Sequence, residues 1–164
     1  MKNIKLLTLL FLTLIGLNSC QDNSGLTYIA APTGDFAFTN TLLAEYVLTP
    51  AASKNIGERF IWSSADFGTQ TNVSYELQKS IIGDFSDAEV VGSTNGNDLS
   101  ISIGKLINYA TEAGLDNDPT SAEPNTGTVS FRLPAFVGDT ATSTDQLSPA
   151  VTLVLVLPEA VLSG

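Results

Sequence analysis

The sequence predicts an all-β domain, an antiparallel β-sandwich of about seven strands with one short helix inserted between two of them. Three observations carry this. After residue 26 the apolar residues recur with period two, the signature of strands that bury one face. Clusters of Gly, Asn, Asp, Ser and Pro interrupt those runs at ~8–15-residue spacing, as in immunoglobulin- or fibronectin-III-type sandwiches. One stretch alone changes to a helical period. Clean alternation with a polar second face favours antiparallel pairing over a parallel α/β core.

The elements follow in chain order. Residues 1–20, MKNIKLLTLLFLTLIGLNSC, carry Lys2 and Lys5 ahead of a mostly apolar run from Leu6 to Leu17. The run is shorter than the ~20 apolar residues of a comfortable membrane span and suits a signal peptide. It ends in Leu17-Asn18-Ser19-Cys20, which resembles the bacterial lipobox, where a small residue precedes the cysteine that is lipidated and becomes N-terminal. The chain holds a single cysteine, so no disulfide competes for Cys20. The reading is a signal peptide over 1–19, lipidation at Cys20, a flexible polar tether over 20–25, one domain over 26–158 and a tail over 159–164.

Residues 26–30 and 46–49 read as two pieces of a first edge strand, ended by Pro32 and Pro50. Phe60 and Trp62 alternate with Arg59 and Ser63; Val73, Tyr75 and Leu77 alternate with Ser74, Glu76 and Gln78. A short strand over 89–92 follows, then Leu99, Ile101 and Ile103 alternating with serines. Leu106, Ile107, Ala110 and Ala113 recur at helical spacing, and Gly114 stands where a C-terminal cap belongs. Val129, Phe131 and Leu133 form the next strand, with Pro134 implying an edge or a bulge. The valine-rich run 150–157 is the last. Residues 68–72, 83–87, 94–98, 116–127 and 138–148 are loops by composition.

Composition narrows function. The chain has 164 residues, no histidine and a net charge of −10. Imidazole-dependent triads and Cys/His metal sites are excluded. Seven scattered bases cannot build the basic face that nucleic acid requires. Removal of the leader takes two lysines and no acid, so the mature chain is more anionic still, and the lipid alone would hold it to a membrane. No cofactor is expected.

The stretch Phe60-Ile61-Trp62-Ser63-Ser64-Ala65-Asp66-Phe67-Gly68, the strand Val73-Ser74-Tyr75-Glu76-Leu77-Gln78, the Gly92-Ser93-Thr94 step, the strand from Leu99 to Ile103, the helix leading to Ala113-Gly114-Leu115 and the final Ser-Pro-Ala-Val-Thr-Leu-Val-Leu run together resemble, in order, the N-terminal domain of the SusE/SusF group of outer-membrane lipoproteins. The resemblance covers residues 26–158. It implies an immunoglobulin-like domain on a surface lipoprotein of a starch- or glycan-utilisation system, acting beside an uptake transporter and a glycan-capture lipoprotein. In that family the starch-binding sites lie in further C-terminal modules, so no binding residue carries over. The expected function is a scaffold or weak carbohydrate-binding module, without enzymatic activity. The alternatives are a spacer domain of a longer glycan-binding lipoprotein and a carboxylate-based glycosidase.

Trp62 alternates with Phe60 and reads as core. Phe67 lies in the 64–72 loop, which shares one end of the sandwich with the 138–148 loop. An exposed ring there, with Asp66, Gln70 and Asn72, would hold a sugar; otherwise the ring is tucked beneath its own loop. Tyr28, Phe36 and Phe85 are the other rings that this reading leaves outside the core. Asp116-Asn117-Asp118 supplies hard oxygens but lacks the register of a calcium loop, and no metal site is expected. Asp84 and Asp87 read as surface charge rather than an acid/base pair. Asp139-Thr140-Ala141 resembles a bacterial O-glycosylation acceptor, with Thr140 as the modified residue.

Overall fold

The computed structural model describes residues 30–138 and 146–161. The leader, Cys20, the tether, Tyr28, the expected strand over 26–30 apart from Ala30, and Thr140 lie outside the described residues.

Nine strands and one α-helix follow in order: β1 (Tyr46–Val47), β2 (Ile56–Ile61), β3 (Val73–Ser80), β4 (Glu89–Thr94), β5 (Asp98–Ser102), α1 (Ile103–Glu112), β6 (Thr126–Arg132), β7 (Pro134–Val137), β8 (Gln146–Leu147) and β9 (Val151–Val156). In the larger sheet β3 pairs with β4 along one edge and with β6 and β7 along the other; β6 continues to β9 and then β1, and β7 to β8. β2 and β5 form the second sheet. Its outer member is the segment 37–39, where Thr39 N–H donates to Ile61 O and Ser63 N–H donates to Ala37 O. That pairing was not visible in the period-two pattern.

β6 and β7 are one chain pass interrupted at Leu133. The N-terminal part of β3 pairs with β7 and its C-terminal part with β6. β8 and β9 are split in the same way, pairing with β7 and β6 respectively. The nine strands are thus seven passes, the number expected. Pro134 explains the break: it has no N–H to donate. Buried Ser148 fills the gap, its Oγ accepting from Leu133 N–H at 2.9 Å while its own N–H donates to Leu133 O at 2.9 Å. β8 falls inside the expected 138–148 loop. Two residues flanked by polar composition give too little pattern to reveal a strand. The purely antiparallel expectation also needs correction, because β1 pairs parallel to β9.

The free edge of β4 is interrupted. Leu77 pairs with Gly92 and Gln78 with Val90, leaving Val91 as the bulged residue. Lys105 Nζ donates to Val91 O at 3.2 Å. A bulge and a lysine are common ways to blunt an edge against further pairing.

α1 starts directly off β5. Ser102 Oγ accepts from Lys105 N–H at 3.3 Å as the N-cap. At the other end Leu115 N–H donates to Ala110 O and Gly114 N–H to Thr111 O, with Gly114 at φ +79°. This is a Schellman cap, and glycine is needed for that backbone. The helix buries Leu106, Tyr109 and Ala110.

Inward strand positions from both sheets meet in an aromatic core. Phe60 lies 4.9 Å from Phe131 between ring centroids, Trp62 5.5 Å from Tyr75, and Phe38 5.4 Å from Phe60. Leu77, Ile101, Leu106, Leu153 and Leu155 fill the space around them. Trp62 is 3% exposed, as its alternation predicts.

One inward position holds a charge. Lys79 on β3 is 2% exposed. Its Nζ reaches Glu112 of α1 at 2.7 Å and Glu89 of β4 at 2.8 Å, 5.1 Å from the Tyr109 ring centroid. Burial opposes its charge, yet the two carboxylates outweigh burial and raise the Lys79 pKa. The cation ties helix to sheet.

A second network pins the crossover between the sheets. Tyr46 OH donates to Glu58 and accepts from Leu43 N–H; Asn40 Nδ2 donates to the other Glu58 oxygen at 2.8 Å. Burial, then the Glu58 carboxylate, pushes the Tyr46 phenol up to about 12.

Four outcomes follow from this packing. Trp62→Ala lowers unfolding free energy by about 3–5 kcal/mol, read from urea denaturation. Glu89 and Glu112 are half-exposed or more and rehydrate when Lys79 becomes Met, so Lys79→Met costs less than ~1.5 kcal/mol. The double variant Glu89→Gln, Glu112→Gln leaves a buried cation unpaired and costs about 3–5 kcal/mol. The raised Tyr46 pKa stabilises the fold fully below pH ~10, and that share, about 3 kcal/mol, is lost as pH rises towards ~12. Urea midpoints measured across that window fall less steeply in Tyr46→Phe; the remaining slope includes Tyr109, whose pKa burial also raises.

Candidate functional site

The connection after β2, residues 62–72, the β4–β5 turn at 95–97 and the end of β7 at Gly138 meet at one end of the sandwich. Ser64, Thr71, Asn72, Tyr75, Asn95 and Asn97 border one hollow of about 220 Å³. Asn72, Ser74, Asn95, Val137 and Gly138 border a second, of about 450 Å³. A third of about 290 Å³ lies beside Glu76, Ser93, Thr94 and Phe136. Asn95 borders all three, and these adjoining polar hollows are together termed the groove.

The strand register builds it. Tyr75 pairs with Thr94 and Glu76 with Ser93, so Ser74 and Glu76 point away from the core that Tyr75 and Leu77 enter. Asn95 Nδ2 donates to Ser74 Oγ at 2.9 Å and to Val73 O at 3.2 Å. Asn97 Nδ2 donates to Trp62 O, and its Oδ1 accepts from Ser64 Oγ. The turn is therefore clamped to β2 and β3. Apart from Asn72, the groove residues were not among the candidates the sequence offered. The TNGND turn was visible, but which strand lies beneath it depends on long-range pairing.

The sequence-derived candidates separate. Phe67 is 4% exposed, which corrects its expected role as an exposed platform. Its loop folds the ring inward: Ala31 N–H donates to Phe67 O, Thr33 N–H donates to Asp66 O, and Ala65 N–H donates to Tyr75 OH at 3.0 Å. Asp66 Oδ1 accepts from Gly68 N–H at 2.8 Å, with Gly68 at φ +69°. That carboxylate shapes its own turn. Gln70 and Asn72 are exposed; Asn72 borders the groove, whereas Asp66 and Gln70 line none of the three hollows.

Of the other rings, Phe36 is buried and Phe85 is half-buried beneath the Arg132 guanidinium, 4.4 Å from its centroid. No aromatic ring among the described residues is exposed.

The remaining acids shape loops. Asp87 accepts from Ser80 Oγ and from the amides of Ile81 and Ile82. The Ser80 hydroxyl first, then those amides, holds its carboxyl below the usual range. The Ser86 side chain and amide do the same for Asp84. A general acid needs the opposite shift. Asp116 accepts from Asp118 N–H, and Asp118 from the amide and hydroxyl of Thr120, which lowers its pKa. No group of three potential metal-ligating side chains occurs among the described residues. Of the residues bordering the groove, Glu76 alone carries a charge.

The fold and the hollows define a small sandwich domain with a polar loop end. The chain belongs to the SusE outer membrane protein family, whose sequence profile matches residues 21–133. Membership places it among outer-membrane proteins of Sus-type systems. No curated protein matches it. Among solved structures, it is similar to the sixth fibronectin type III domain of human fibronectin type III domain containing protein 3. The identity is 13% over 87% of this chain and 99% of that one, with a TM-score of 0.41.

Phe67→Ala acts on stability, costing about 3–5 kcal/mol because it empties a buried site. Asn72→Ala, at an exposed position, stays within ~0.5 kcal/mol of the parent. Paired urea denaturation curves separate the two.

Proposed function

We propose that this chain is a lipid-anchored accessory protein of an outer-membrane glycan-uptake system, acting as a scaffold beside the transporter and its capture lipoprotein. Sugar contact is weak and sits in the loop-end groove. The observation that carries this reading is that no aromatic ring among the described residues is exposed. A capture site for a neutral glycan combines a flat apolar face with convergent polar groups. This groove supplies amides, hydroxyls and one carboxylate. Such a surface gives millimolar affinity, about 4 kcal/mol.

The anchor is Cys20 and the chain stands on the cell surface. Two or more acyl chains suffice for stable attachment, and the anionic body adds no electrostatic adhesion to an anionic surface. Hydrolysis of a glycosidic bond needs two carboxyl groups facing one bond; the groove's single Glu76 favours binding without catalysis.

Calorimetry of residues 21–164 with maltoheptaose tests the weak-binding claim. The expected result is millimolar binding or none. A dissociation constant in the low micromolar range contradicts it. Cys20→Ala moves the protein from the membrane pellet to the soluble envelope fraction in cell fractionation. A variant that stays with the membrane contradicts the anchor.

A further inference from the structure

We infer that the loop end of the sandwich, with its polar groove, is the membrane-proximal end of this protein, and that the α1 end faces outward. The inference rests on the Cys20 anchor of the proposed function and on where the chain enters the fold. Ala31 N–H donates to Phe67 O, and Thr33 donates through N–H and Oγ1 to Asp66 O. These contacts fix the first described residues to the 62–72 connection, the same connection that borders the groove. From Cys20 to Ala30 there are ten residue steps, which span at most ~36 Å when fully extended. The loop end therefore never lies farther than that from the lipid surface.

The opposite end is defined as clearly. β2 begins, β5 ends, β9 ends and β6 begins there, beside α1. β3 has eight residues, so the two ends stand roughly 26 Å apart at ~3.3 Å per residue. Charge opposes a flat-lying posture. The chain carries a net −10 before its leader is removed and becomes more negative afterwards, so an anionic leaflet repels the body as a whole and holds it off the lipid at the end of its tether. The groove thus opens into the gap between domain and lipid. A long soluble polymer reaches it there least easily.

Energy transfer to a lipid-borne acceptor reads the orientation directly. The lipidated protein has no free thiol once Cys20 is a thioether, because the chain has no other cysteine. Thr71→Cys at the loop end and Asn108→Cys on α1 are both exposed, and each accepts a maleimide donor. Both proteins are reconstituted on phosphatidylethanolamine–phosphatidylglycerol vesicles carrying acceptor lipid. Transfer is expected to be higher from position 71 than from position 108. The difference is lost when about 30 Gly/Ser residues are inserted after Ser24, because the ends then tumble freely. Equal or reversed transfer in the parent tether overturns the orientation, as does a difference that survives the insertion. A protein that fails to float with the vesicles overturns the anchor, and the orientation falls with it.

Discussion

The fold depends on aromatic rings meeting between two sheets that no covalent bond joins. Phe60 and Trp62 from β2 face Phe131 and Tyr75 from the larger sheet at centroid distances of 4.9 and 5.5 Å. The chain has one cysteine, so no disulfide limits the unfolded state, and buried area must stabilise the sandwich. Every local feature of the loop end follows from that demand. The 62–72 connection turns Phe67 inward and hydrogen-bonds its backbone to the entering chain. The face left outside carries hydroxyls and amides. The constraint that makes the domain stable is the one that leaves its groove without a stacking surface.

Charge is handled with the same economy. Lys79 occupies an inward position that the strand period reserves for an apolar side chain, yet it is hydrogen-bonded to carboxylates from two elements. Buried pairs of this kind contribute more to which arrangement forms than to how stable it is. Here the arrangement is the seating of α1 against β3 and β4. The surface acids, by contrast, accept from nearby amides and hydroxyls and keep depressed pKa values. They hold turns in shape, as the Asp-Ser and Asp-Thr spacing of those loops favours.

Much of this was legible in the sequence, for local reasons. Period-two alternation located β2, β3, β5 and β6, the valine-rich run 150–157 located β9, and Gly114 marked the cap of α1 because a left-handed residue there is nearly always glycine. What escaped notice was non-local. The parallel pairing of β1 with β9, the pairing of residues 37–39 with β2, and the register that lays Asn95 over Ser74 depend on contacts more than twenty residues apart. β7 and β8 were hidden because a proline break shortens both passes below the length at which alternation can be read. Phe67 shows the limit for sites: one apolar residue in a polar loop has the same local pattern whether it faces solvent or core, and only the contacts of Ala31 and Thr33 decide.

The central claim is that the rings of the inter-sheet core are interior and unavailable to ligand, and Trp62, one of them and the chain's one tryptophan, reports on it. Acrylamide quenching of its fluorescence, with and without saturating maltoheptaose and again in urea, is the most direct measurement. The account predicts blue-shifted native emission, quenching far weaker than in the unfolded chain, and no change on adding oligosaccharide. Native quenching equal to that of the unfolded chain, or protection conferred by the sugar, would contradict it.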